Sequence, residues 1–223
     1  SDVFCTGALI EERLVLTAAH CLYDRGGRVV PVDQIRFMAG WRNGRAAAYR
    51  RVRRAVTHPD FAPGSDDTAR RVRHDLALIE LQHPIRTGMI APFALDAGPA
   101  TGEPVGVVSY AHDRAEAPSL QDACDVLGTQ RGMVILSCAV DFGASGSPVF
   151  RFGADGTPRI VSVISAMARA EDRPVSLGSG LADHMPALRA ARDAAGETGA
   201  GAAPMRAGMR RDTGAKFVTS TRP

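Results

Sequence analysis

The sequence is short of several things, and each shortage removes a class of function. It has no apolar run approaching the ~20 residues of a membrane-spanning helix, and it opens without a leader-type stretch. Charge of one sign is nearly absent in net terms, since 27 Lys and Arg face 24 Asp and Glu. An excess of +3 does not by itself call for nucleic acid. The two arginine clusters, Arg50-Arg51-Val52-Arg53-Arg54 and Arg70-Arg71-Val72-Arg73, lack interleaved aromatics on which bases could stack. They read as solvated faces of strands and a loop, and no nucleic-acid partner is expected. None of the four cysteines stands in the close-spaced pair that structural zinc prefers, so neither a metal nor a cofactor is expected. Long helical periodicity is also missing, and a helical bundle is excluded with it.

What is present is a series of short apolar runs with turn residues between them. Residues 3–10 and 13–18 flank Glu11-Glu12 at hairpin spacing. Further strands are expected at 34–40, 48–56 and 76–81, and a long polar loop at 57–73. After a Pro, Ala and Gly-rich link, strands follow near 104–110, 121–127, 133–138, 149–152, 159–165 and 175–182. Such spacing makes an all-β barrel or sandwich. The expected division is a first half over 1–90, a linker over 91–103, a second half over 104–193 with a short helix from His184 to Arg192, and a flexible tail over 194–223. The chain begins inside what reads as a strand, so a preceding strand is expected to be missing.

Cys5 and Cys21 form one local pair and Cys124 and Cys138 another, although three connectivities are possible in principle. Local pairing is the simplest, and each bridge would close a loop of about 15 residues worth roughly 3 kcal/mol. Disulfides place the chain in an oxidising compartment, secreted or periplasmic.

Three blocks need one explanation. Thr17-Ala18-Ala19-His20-Cys21 carries a histidine, His74-Asp75-Leu76-Ala77-Leu78-Ile79 an aspartate, and Gly143-Ala144-Ser145-Gly146-Ser147-Pro148 a serine in a tight glycine loop. Separately, His20 reads equally well as a core histidine, Asp75 as a strand cap and Ser145 as a turn residue. Together they supply a nucleophile, a base to take its proton and a carboxylate to fix the base's tautomer. Their order, His then Asp then Ser, is that of the chymotrypsin triad. His58 and His74 are rival bases given surface-loop roles, and Asp60 is a rival acid explained by a turn.

These blocks, with Cys5-Thr6-Gly7-Ala8-Leu9-Ile10 and His58-Pro59-Asp60-Phe61, resemble the successive signature blocks of trypsin-like serine proteases from about Val3 to Arg189. The closing Gly-Ser-Pro and the short interval from Asp75 to Ser145 are similar to the compact bacterial, glutamyl-endopeptidase-like branch. The resemblance implies two six-stranded antiparallel β-barrels with the site in the cleft between them. It implies His20 as base, Asp75 as orienting acid and Ser145 as nucleophile, with the N–H groups of Gly143 and Ser145 as oxyanion hole. It also puts Ala139 at the floor of the specificity pocket and Val140, Ile164, Ser165, Ala166 and Met167 along its wall.

Two departures from the family pattern matter. Ala144 stands where animal enzymes carry the aspartate that pairs with a newly cut N-terminal amine, so that switch is not expected. Ala139 and Ile164 offer nothing to bind Lys, Arg or Glu, which implies cleavage after small or apolar residues. The expected partner is a peptide or protein substrate, and the oligomeric state is left open. The alternative is a non-catalytic, protease-like binding module.

Overall fold

The computed structural model describes residues 3–110, 116–138, 144–197 and 216–219. The first half contains β1 (Val3–Thr6), β2 (Ala8–Glu11), β3 (Leu14–Thr17), β4 (Arg36–Ala39), β5 (Ala48–Thr57), α1 (Thr68–Arg73) and β6 (Ala77–Leu81). Five of these strands form one antiparallel sheet in the order β2-β3-β6-β5-β4. All four residues of β3 are buried, and β6 is equally apolar over Ala77, Leu78 and Ile79. Strands covered on both faces read as continuous apolar runs rather than alternating ones, which is how this pair stands out in the sequence. In β5 the pattern alternates instead: Val52 is buried while Arg51 and Arg53 face solvent, as expected of a solvated strand face.

The second arginine cluster differs from expectation. Arg70 to Arg73 lie in a helix, not a loop. Asp67 caps it, its side chain accepting the Arg70 N–H at 3.0 Å, and Val72 is its one buried residue.

The second half contains β7 (Ala94–Leu95), β8 (Pro104–Ser109), β9 (Ser119–Gln130), β10 (Met133–Leu136), β11 (Pro148–Phe152), β12 (Pro158–Ala170) and β13 (Arg173–Gly180). The order β11-β8-β9-β10-β13-β12 returns on itself through a β11–β12 pairing, giving a closed six-stranded barrel. Its interior holds Val105, Val107, Val126, Val134, Leu136, Val149, Val161 and Ile164. The barrel of the second half is therefore complete, whereas the described residues of the first half make an open five-stranded sheet.

Helix α2 (Met185–Glu197) continues past Asp193, and β14 (Lys216–Thr219) pairs antiparallel with β1. Of 194–223, expected above as a flexible tail, residues 198–215 and 220–223 lie outside the described residues. Pro186 sits in the first turn of α2, where its missing N–H costs nothing, and Leu188 of the same turn is fully buried. Both disulfides are the local ones, Cys5–Cys21 and Cys124–Cys138.

Candidate active site

Sheet register explains how distant residues come together. Thr17, at the end of β3, lies opposite Ala77, at the start of β6. In an antiparallel pair these are the same edge of the sheet. The chain leaves that edge through a short 3₁₀ turn, Ala19–Leu22, which carries His20, and arrives at it through Asp75. The two residues then lock together. The His20 N–H donates to Asp75 Oδ1 at 2.8 Å, and His20 Nδ1 lies 2.6 Å from Oδ2. Asp75 is buried, while the His20 side chain is 37% exposed and borders the cleft.

A third donor completes the carboxylate. Ser165 Oγ donates to Asp75 Oδ2 at 2.5 Å. With three donors on two oxygens, the buried charge is hydrogen-bonded as well as paired, the condition under which burial is tolerable. Burial works to lower the His20 pKa and nearby Arg71 works in the same direction. The charge of Asp75 and its hydrogen bond outweigh them, so the His20 pKa is raised above its ordinary value. Because Nδ1 is held by the carboxylate, Nε2 is the nitrogen left for proton transfer. Among the described residues its one recorded contact is with the disulfide sulfur of Cys21, at 4.0 Å.

The serine loop is fastened to both halves of the molecule. The Ser145 carbonyl accepts the Thr6 N–H at 2.8 Å, tying it to β1. On the other side, Gly146 N–H donates to the Ile164 carbonyl at 2.8 Å, and Ile164 N–H donates to the Ser147 carbonyl at 2.9 Å. Gly146 has φ +78°, and a Cβ there would collide with the Thr6 carbonyl oxygen and the Thr17 hydroxyl. Glycine is thus required twice over, for a left-handed backbone and for close approach to β1 and β3. The loop that carries Ser145 consequently lies against the end of β3 from which the His20 turn departs.

The remaining candidates distribute as follows. Ser165 and Ala166 line an open pocket of about 230 Å³ with His20, Phe61, Pro63, Arg71, Val72 and Asp75. Met167 is exposed on β12, whereas the Ile164 side chain is buried in the second barrel and reaches the site through its backbone. Ala144 is buried, and Ser147 is fully enclosed with its hydroxyl lacking a partner among the described residues. Ala139, Val140 and Gly143 lie outside the described residues. Of His58 and His74, assigned above to surface loops, His58 is only 3% exposed, and it stacks on His74, which is half-buried. The bridging role of Ser165 was not legible, since a lone serine in a strand gives no hint of a partner 90 positions away.

A fold of one closed β-barrel and a second barrel-like sheet, with a paired histidine and aspartate and a glycine-bound serine loop packed on β1 and the end of β3, is that of a serine-protease-like protein. The family model described as Trypsin matches residues 1–172, and the chain belongs to that family. Among curated relatives it is similar to "Serine protease SP24D" of Anopheles gambiae, 32% identical over 65% of this chain and 57% of the relative. It is also similar to "Modular serine protease" of Drosophila melanogaster, 37% identical over 36% of this chain and 13% of the relative. The chain thus spans little more than half of the first relative and a small part of the second. A solved Glu endopeptidase superposes with a TM-score of 0.66 over 85% of each chain at 18% identity, which establishes the chymotrypsin-type fold.

Proposed function

We propose that this chain is a secreted or periplasmic serine endopeptidase in which Ser145, His20 and Asp75 form the catalytic triad. The observation that carries the proposal is the double hydrogen bond from His20 to the buried Asp75 carboxylate, beside a serine loop anchored on β1 and β12. A carboxylate in that position fixes the imidazole so that Nε2 is the basic nitrogen and stabilises the imidazolium once it forms.

In the proposed cycle Ser145 Oγ attacks the scissile carbonyl carbon as its proton passes to His20 Nε2. The carbonyl oxygen takes up negative charge opposite the N–H groups of Gly143 and Ser145. Collapse of this intermediate expels the amine, which receives the proton from His20, and leaves Ser145 acylated. Water, deprotonated by His20, then releases the acid and restores the serine. Each oxyanion donor is worth roughly 3 kcal/mol in the transition state. The family resemblance, which puts Ala139 at the pocket floor and Val140, Ala166 and Met167 along its wall, suits a small or apolar side chain at the cleavage site. Peptide-library digestion by the wild type and by Ser145→Ala tests this. Cleavage after small apolar residues that vanishes in the variant supports the reading; a profile dominated by Arg, Lys or Glu overturns the specificity, and unchanged turnover in the variant overturns the mechanism.

A further inference from the structure

Three histidines that this mechanism does not use converge behind Asp75. His58 follows β5, His74 ends α1, and His184 directly precedes α2. Their ring centroids are 5.0 Å apart for His58 and His74, 5.1 Å for His58 and His184, and 5.2 Å for His74 and His184. His58 and His184 are 3% and 8% exposed. Nδ1 of His74 and Nε2 of His184 are buried with no hydrogen-bond partner among the described residues. A buried imidazole nitrogen left unsatisfied is costly, and an apolar side chain would fill the same space more cheaply. Something other than packing accounts for three such rings in contact.

Asp60 supplies the missing oxygen. One ligand atom each from His58, Asp60 and His74 lie within 4.8 Å of one another. His58 Nδ1 accepts the Asp60 backbone N–H at 3.2 Å, so Nδ1 ligates only if that long bond opens, and Nε2 is otherwise the nitrogen that binds. We propose that His58, His74 and Asp60 bind a divalent transition-metal ion of the zinc type, with the His184 ring packed edge-on against both imidazoles.

The ring spacing fits that ion. A zinc ion about 2.0–2.1 Å from each nitrogen stands about 3.2 Å from each ring centroid, and tetrahedral placement separates the centroids by about 5 Å. His58 and His74 are nearly parallel, with 24° between their planes, so both must turn about χ2 to bring the ion into the ring plane. That torsion is broad and soft. Arg70 and Arg73 stand close by as cations, which disfavours Ca²⁺ and Mg²⁺, held mainly by charge, relative to ions that bond imidazole. A second grouping, Cys5, His20 and Cys21, has no thiolate to offer because both cysteines are in the disulfide.

Titration of the full chain with Zn²⁺ and with Co²⁺, followed by the visible absorption of bound Co²⁺ and by thermal unfolding, tests the site. The expected result is one ion per chain, a four-coordinate Co²⁺ spectrum and a raised Tm. Affinity should fall more than about tenfold in both Asp60→Asn and His74→Gln and persist in His20→Ala. Asp60 is solvent-exposed, so folding of its variant is not at stake. Absence of saturable binding to the wild type overturns the proposal. So does equal affinity in Asp60→Asn, or loss of binding in His20→Ala alone, which would place the ion at the triad.

Discussion

Ser165 Oγ and His20 Nδ1 share one oxygen of Asp75, at 2.5 Å and 2.6 Å. The serine comes from β12, the strand that also holds the loop of Ser145 through Ile164, so the carboxylate is fixed by the same element that holds the loop of the proposed nucleophile. In the proposed mechanism Ser165 acts through Asp75, whose carboxylate accepts its hydrogen bond. Ser165→Ala removes a charge-assisted hydrogen bond of about 1.5–3 kcal/mol. We expect kcat/KM to drop about 10- to 100-fold with the fold retained, checked by steady-state kinetics beside circular dichroism.

The raised pKa of His20 sets the pH dependence. The base works only when neutral, so kcat/KM should rise with pH through an apparent pKa above 6.5. Asp75→Asn removes the charge that raises it. The apparent pKa should then fall, and kcat should decrease by about 10⁴ as in other triads. A pH–rate profile of both proteins checks the two effects together.

The histidine cluster predicts acid sensitivity of a different kind. Burial, reinforced by the neighbouring histidines, pushes His184 down to about 4, and His58 and His74 shift in the same direction. As pH falls below 6.5, the unfolded chain binds protons that the folded chain refuses. Stability present above the unfolded pKa is therefore lost progressively toward pH 4. Urea midpoints measured in chelator across that range should fall, and His184→Gln should flatten the slope.

Gly146→Ala tests how the serine loop is held. Its left-handed backbone and the collision with Thr6 and Thr17 should cost about 1–3 kcal/mol. Activity should fall more than about 100-fold because the loop must withdraw from β1. Denaturant unfolding and peptide hydrolysis separate the two losses.

Legibility followed the range of the interactions. The β3 and β6 blocks were readable because strands buried on both faces appear as unbroken apolar runs, and their register brings His20 and Asp75 to one edge. Helix α1 was missed because Arg70-Arg71-Val72-Arg73 buries only Val72 and so carries no apolar period; the Asp67 cap was its one local signal. The link between Ser165 and Asp75 and the meeting of His58, His74 and His184 span distant parts of the chain. Neither leaves a local mark, and the mixed environments of these histidines appear only once α1 and α2 are packed. Gly146, read at first as part of a turn, gains its meaning from Thr6 and Thr17, which touch it across the fold.

The most direct measurement is labelling of the intact chain with a fluorophosphonate, followed by peptide mapping. The account predicts stoichiometric covalent modification at Ser145, lost in His20→Ala and abolished in Ser145→Ala. Folded wild-type protein that takes up no label, or carries it at another residue, would contradict the triad and favour a protease-like binding module.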